Sequence, residues 1–233
     1  MKYFKDDGSK ILCDKTKILG SGNGGCVYKT NDDKTIKVWY DIEFSDIDAE
    51  LIKKIGSLKL GNYYRILSLL YKRKKDMVSA NNAIGYLYEY VKKDNIDILT
   101  MPIEYTIDNL DVLYNSIVIL TKNNIRCLDF QESNVIINSN NITAIDTDLY
   151  YGKYNDTMLA KWNVYDLELL FQYLYEDAMD KYHKGEYSNE VKQLLSSLFM
   201  VYYYDGVYGT YRKLKGYKYP IEYVNKLKVL SKG

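Results

Sequence analysis

Near residue 92 the hydrophobic pattern changes its period, and this change constrains the fold more than any other feature of the chain. Before it, apolar and polar residues alternate around glycines and an Asn-Asp-Asp turn, as in KILCDKTKILGSG, CVYKT, NDD and KTIKVWY over residues 10–40. Strand side chains point alternately to the two faces of a sheet, so this period of two predicts three short antiparallel strands. A further β run, IGYLYEYV, is expected at 84–91. Between them FSDIDAELIKKIGSL, residues 44–58, sets Ile47, Leu51, Ile55 and Leu58 at helical spacing, with Ser45 as the expected N-cap. Residues 62–84 fit strand or helix, and KRKKD at 72–76 reads as a solvated turn. After residue 92 the period is helical: IDNLDVLYNSIVILTK carries Leu110, Leu113, Ile117 and Leu120 on one face. Two short β runs follow, VIIN at 135–138 and ITAID at 142–146, and helices dominate from Trp162. A chain that is first mainly β and then mainly α is expected to be an α+β protein with two lobes, 1–91 and 92–233, and a hinge between them.

Composition excludes several functions. The chain has 233 residues, enough for a substantial core, and 32 basic against 31 acidic side chains give a formal charge of +1. A protein that coats nucleic acid needs many uncompensated cations, so no nucleic-acid partner is expected. No apolar run approaches the roughly 20 residues of a membrane helix, and MKYFKDDGSK lacks a signal-peptide pattern, so a cytoplasmic protein with no membrane partner is expected. Cys13, Cys26 and Cys127 are widely spaced and read as reduced thiols and not a metal site. The 27 tyrosines fit AT-rich codon usage, with an aromatic binding surface as the alternative. The single histidine, His183, excludes chemistry that needs two imidazoles. Carboxylates, lysine, backbone amides or a bound metal remain.

Three segments carry such groups. Gly20-Ser21-Gly22-Asn23-Gly24-Gly25-Cys26-Val27 is a glycine-rich turn in which backbone N–H groups can approach phosphate oxygens closely. A purely structural hairpin turn is the alternative reading. It lies between strands and not before a helix, which argues against a dinucleotide fingerprint or a Walker loop. Ten residues after Val27, Lys37 points to the face opposite Ile36 and Val38, either as a functional cation or as a solvated lysine on an edge strand. Asp129, Asn134 five residues later, and Asp146 at the end of the second β run offer the oxygen ligands that Mg²⁺ prefers.

In this order the segments resemble the eukaryotic-like protein kinase superfamily, with its G-x-G-x-x-G-x-V loop, strand lysine, H-R-D-L-x-x-x-N loop and D-F-G. The similarity spans about residues 10–175. It implies a protein-kinase-like bilobal fold, an antiparallel β-sheet N-lobe and a mainly helical C-lobe forming one domain, with ATP and Mg²⁺ as cofactors. By that resemblance Gly20, Gly22 and Gly25 cover the phosphates, Ser21, Asn23 and Val27 bind the cofactor with them, and Lys37 pairs with the α and β phosphates. Glu50, or Asp48 beside it, would be the helix acid that holds Lys37. IGYLYEYV would join the lobes, with Tyr88 as gatekeeper and the Glu89 carbonyl and Val91 amide facing adenine. Asp129 would orient the acceptor hydroxyl and take its proton, while Asn134 and Asp146 would hold Mg²⁺. Asn163-Val164-Tyr165-Asp166-Leu167 resembles the start of the family's central C-lobe helix, with Asn163 in place of an Asp.

Departures from that pattern bear on the acceptor. Cys127 and Leu128 replace the His and Arg before Asp129, Gln131 replaces a phosphate-contacting Lys, and Asp146-Thr147-Asp148 replaces D-F-G. Asp148 reads as a solvated turn acid, or else as a further ligand. Residues 147–161 form a short segment without A-P-E, as in the similar aminoglycoside and choline kinases. The expected acceptor is a hydroxyl on a protein Ser or Thr, with a small molecule next. A nucleotide-binding pseudokinase scaffold and nucleotidyl transfer are the remaining alternatives. Residues 207–233 carry seven basic side chains against Glu222 alone, which suits a solvated helical face or an acidic partner.

Overall fold

A computed structural model describes residues 1–22, 24–40, 47–94, 96, 98–139, 141–153, 157–183 and the single positions 216, 218 and 222, with side chains in the last turns of the 159–183 helix described only in part. The chain is α+β: a curled seven-stranded antiparallel sheet, a two-stranded hairpin and three α-helices make up its regular elements among the described residues.

The segment KILCDKTKILGSG, expected as one strand, is divided by a turn. The Asp14 carboxylate accepts from the Thr16 N–H at 2.9 Å and the Thr16 hydroxyl at 2.8 Å, and this local closure competes with the extended chain. Before the turn, β2 (Lys10–Leu12) pairs with an N-terminal strand β1 (Lys2–Lys5) that the pattern did not reveal; after it, β3 (Ile18–Gly22) pairs with β4 (Gly25–Lys29). The Asn31-Asp32-Asp33 turn then leads into β5 (Lys34–Trp39). Residues 62–84 resolve as β6 (Ile66–Tyr71) followed by 3₁₀ turns at Lys74–Val78 and Ala80–Asn82, and β7 (Gly85–Glu89) lies within the expected run. The order across the sheet is β2-β1-β6-β7-β5-β4-β3. β5 is therefore interior, and Lys37 faces Val27 on one side and Tyr86 on the other. This removes the reading of Lys37 as an edge-strand lysine.

Both faces of the sheet are covered. Ile36, Leu70 and Leu87 pack with Tyr3, Ile11 and Cys13 on the outer face. Trp39, Leu69, Tyr71, Tyr86 and Tyr88 point the other way, into the main core shared with the helices. Helix α1 (Ala49–Ser57) starts at Asp48, whose carboxylate accepts from the Leu51 N–H at 2.9 Å, so Asp48 is the N-cap; the expected cap, Ser45, lies outside the described residues. Its buried face is Ala49, Leu51, Ile52 and Ile55. Helix α2 (Ile103–Lys122) buries Leu110, Leu113, Ile117 and Leu120, the stripe that the spacing predicts. A 3₁₀ turn at Glu132–Asn134 leads into the hairpin β8 (Val135–Ile137) and β9 (Ile142–Ala144), and α3 (Leu159–His183) follows. The helices expected beyond residue 183 and most of the basic segment 207–233 lie outside the described residues. Among the described residues no helix is long and apolar enough to cross a membrane.

Candidate functional site

Between the sheet and the segments that flank the β8–β9 hairpin, residues 129–134 and 145–149, lies a cleft of about 750 Å³. Its roof is the β3–β4 turn, through Gly20, Ser21, Gly22, Gly25 and Val27; Asn23 lies outside the described residues. The glycines there differ in kind. A Cβ on Gly25 would stand 2.4 Å from the Val38 carbonyl oxygen, so the close approach of β4 to β5 itself requires glycine. At Gly20 and Gly22 a Cβ would meet nothing within 4 Å, so packing places no such demand on them.

Lys37 enters from β5, and it is the only basic side chain lining the cleft among the described residues. Its ammonium lies 2.5 Å from Asp146 Oδ2, across 109 residues of chain, and 2.7 Å from Asp148 Oδ2. Trp39 shares the strand face of Lys37, two residues on, and donates its indole N–H to Asp148 Oδ2 at 3.0 Å. Asp148 is 6% exposed, and its other oxygen, Oδ1, is buried without a hydrogen-bond partner. Burial opposes charge on Lys37, yet the carboxylates of Asp148 and Asp146 outweigh it and hold the ammonium above its ordinary range. Two carboxylates share this one ammonium, and the deeper one bears the desolvation: burial raises Asp148 to about 6 against the pull of Lys37.

On the opposite wall Asp129 and Asn134 are joined side chain to side chain. Asn134 donates from Nδ2 to Asp129 Oδ2 at 2.7 Å and to the Asp129 carbonyl at 3.0 Å, which leaves its amide oxygen as an acceptor. Burial raises the Asp129 carboxyl above the usual carboxylate range, with Asp146 adding to the shift and the bond from Asn134 opposing it. Asp129 and Asp146 both hold left-handed backbone, at φ 58° and 66°, an uncommon conformation for a residue with a side chain and one that clusters at functional sites.

The loop bearing Asp129 is anchored from below. Asn163, fully buried on α3, accepts from the Cys127 N–H at 2.9 Å and donates to the Ile125 carbonyl at 2.9 Å and to the Thr121 hydroxyl. Arg126 is buried and ion-paired with Asp166 on α3, so it supports the loop and does not face the cleft. Cys127 is buried, and burial pushes its thiol well up, so it stays protonated.

The predicted site residues are thus brought together with exceptions. Lys37, Asp129, Asn134, Asp146 and the glycine turn line one cleft. Glu50 does not join them: it is on the exposed side of α1, and it bears on Tyr71, whose hydroxyl its charge helps to raise. Asp48 is occupied as the cap. The acids paired with Lys37 are Asp146 and Asp148 and neither Glu50 nor Asp48, which corrects the helix-acid expectation, and the burial of Asp148 corrects its reading as a solvated turn residue. Glu89 and Val91 line a separate hollow of about 310 Å³ with Arg65, Lys92 and Asn138, while Tyr88 is buried against Tyr64 with ring centroids 4.8 Å apart. Sequence reasoning named Asp148 only as a turn acid or further ligand and missed Trp39 and Tyr64, whose hydroxyl meets the Thr147 N–H at 3.2 Å and the Thr147 hydroxyl at 3.0 Å. Only the i, i+2 relation of Lys37 and Trp39 was there to find. Compared with models of known protein families and with curated proteins, the chain matches none.

Among the described residues no three His, Cys, Asp or Glu side chains form a protein-only metal cage. Mg²⁺ is commonly held by one or two carboxylates with phosphate and water completing the shell, and the Asp146, Asp129 and Asn134 oxygens have the hardness for that role. A cleft that holds a charged lysine beside Asp146, the Asp129–Asn134 pair and a glycine-rich turn is suited to a polyanion and its counter-cation.

Proposed function

We propose that the chain is an ATP- and Mg²⁺-dependent phosphotransferase with a protein-kinase-like architecture, in which residues 1–91 form a sheet lobe and residues 92–233 a helical lobe. The carrying observation is the meeting of Lys37, from the sheet's interior strand, with Asp146 in a cleft that also holds the Asp129–Asn134 pair. The resemblance in the order of these segments and the anchoring of the Asp129 loop by Asn163 support the same reading.

Each side chain then has a task set by its chemistry. Lys37, kept charged by its carboxylates, holds α and β phosphate oxygens; backbone N–H groups of the glycine turn cover the β and γ phosphates. Asp146 and the Asn134 amide oxygen would hold Mg²⁺, which when bound supplies neutralisation of phosphate charge. Asp129 accepts a hydrogen bond from the acceptor hydroxyl and takes its proton as the new oxygen–phosphorus bond forms and the bond to ADP breaks. Its raised pKa suits a group that must gain a proton. Positioning and charge neutralisation supply most of the acceleration in such transfers, so the absence of a second histidine is no obstacle.

The acceptor is a hydroxyl group, on protein Ser or Thr by the overall register of the segments. A small-molecule acceptor is the second reading, favoured by the start of α3 at Leu159, which leaves a short chain after Asp148 for docking a peptide. The test is incubation with γ-labelled and α-labelled ATP and Mg²⁺ against panels of protein and small hydroxyl acceptors, beside Asp146→Ala. Label transferred from the γ position alone, and lost in the variant, is the expected result. Transfer from the α position would mean nucleotidylation, and no transfer above the variant with intact ATP binding would mean a scaffold.

A further inference from the structure

We infer that Asp148, and not an acid on helix α1, is the positioning residue for Lys37, so that the lysine of this site is set by the sheet and the 146–148 segment without reference to α1. The inference rests on the phosphotransferase reading for its catalytic consequence, while the pairing itself stands on geometry.

Four observations converge. Lys37 and Asp148 are both almost fully buried, and their charged atoms are 2.7 Å apart. The same Asp148 oxygen is fixed by the Trp39 indole at 3.0 Å, and Trp39 shares a strand face with Lys37, so β5 carries both the lysine and the group that aims its partner. The preceding residue, Thr147, is tied to the sheet half through the Tyr64 hydroxyl by its backbone N–H and its side chain, which keeps the segment from sliding. Among the described residues the acids at the start of α1 do not reach the lysine: Asp48 caps the helix, and Glu50 is exposed.

Asp148 Oδ1 is buried without a partner, an arrangement that opposes folding and that a purely structural site would avoid. Asp146 also touches Lys37, but it is the carboxylate that the proposed function assigns to the cation. Asp148 is deeper and remains with the lysine. Where a helix acid holds such a lysine, movement of the helix can switch the site on and off. Here α1 contributes no charge to the lysine, so displacement of α1 is not the switch.

Two arms test this. In the ligand-free full chain with ¹⁵N-labelled lysine, the Lys37 ammonium resonance should be protected in the wild type and in Glu50→Gln, and should broaden toward solvent exchange in Asp148→Asn and, more weakly, in Trp39→Phe, which keeps the carboxylate and removes its donor. In steady-state kinetics Asp148→Asn should raise KM for ATP and lower kcat, together at least tenfold in kcat/KM. Glu50→Gln should stay within twofold of wild type, and Asp148→Asn should add nothing to Lys37→Met in the double variant. Equal losses in Glu50→Gln and Asp148→Asn, or additive losses in the double variant, would overturn the inference. Wild-type chain with the protected resonance but no ATP turnover would instead remove the phosphotransferase reading and leave the pairing standing.

Discussion

At the scale of single residues, glycine and aspartate positions that look alike in sequence do different work. Gly25→Ala should destabilise the fold, because its Cβ would strike the Val38 carbonyl at 2.4 Å, and the neighbouring backbone cannot yield cheaply. Thermal unfolding should show a loss of roughly 1–3 kcal/mol. Gly22→Ala, with open space around the added methyl, should leave stability unchanged and raise KM for ATP. For Asp129, Asn is the informative replacement: Asn tolerates the left-handed backbone at φ 58° and keeps the shape while losing the charge. Asp129→Asn should therefore melt like the wild type and lose on the order of 10² or more in kcat, the usual share of a positioned base. Lys37, Asp129, Asn134 and Asp146 were legible in the sequence, because each sits at a fixed offset from a turn or a β run. The role of Asp148 was not, since a short polar D-T-D stretch gives no sign of burial and its indole partner, Trp39, is 109 residues away.

At the scale of elements, legibility followed length and periodicity. Helix α2 was readable because four leucine and isoleucine positions repeat along one face of a 20-residue helix. The start of α1 was misplaced because Ser45 and Asp48 both offer capping oxygens, and only the observed bond to the Leu51 N–H separates them. β1 escaped notice because four residues, KYFK, carry too little alternation to stand out. Asn163 on α3 ties four groups of the 121–127 stretch to the helix. Asn163→Ala should remove those bonds, leave the Cys127 N–H and Ile125 carbonyl unsatisfied in the interior, and cost about 2–4 kcal/mol. Differential scanning calorimetry reads the stability. A parallel fall in kcat would report displacement of the Asp129 loop.

At the scale of the whole molecule, the sheet and the helical half are sewn together beside the cleft. Residues 62–64 pair with β9, through Ala144 N to Asn62 O at 2.8 Å and Tyr64 N to Ala144 O at 3.1 Å. From this seam the Tyr64 hydroxyl reaches both Thr147 and Tyr86, at 3.0 and 3.1 Å respectively. Tyr64→Phe should leave the Thr147 N–H without its acceptor and destabilise the chain by about 1–3 kcal/mol. Loss of ATP turnover beyond what stability explains would show that the seam also aligns Asp146 and Asp148. The α+β class, with most strands before residue 92 and two of the three described α-helices after it, was legible from the change of period there. The seam was not, because hydroxyl networks among buried tyrosines leave no periodic trace in a sequence that is tyrosine-rich throughout.

The central claim is that Lys37, Asp129, Asn134 and Asp146 form a phosphoryl-transfer site, and single-turnover formation of ADP and inorganic phosphate, with water taking the phosphoryl group in place of the acceptor hydroxyl, tests it without knowledge of the acceptor. With the full chain in excess over ATP, ADP should appear only with Mg²⁺ present, and Asp146→Ala should slow it about 10²-fold or more. ADP formation at the same rate in wild type and variant, or none in wild type that binds Mg²⁺ and ATP, would contradict it.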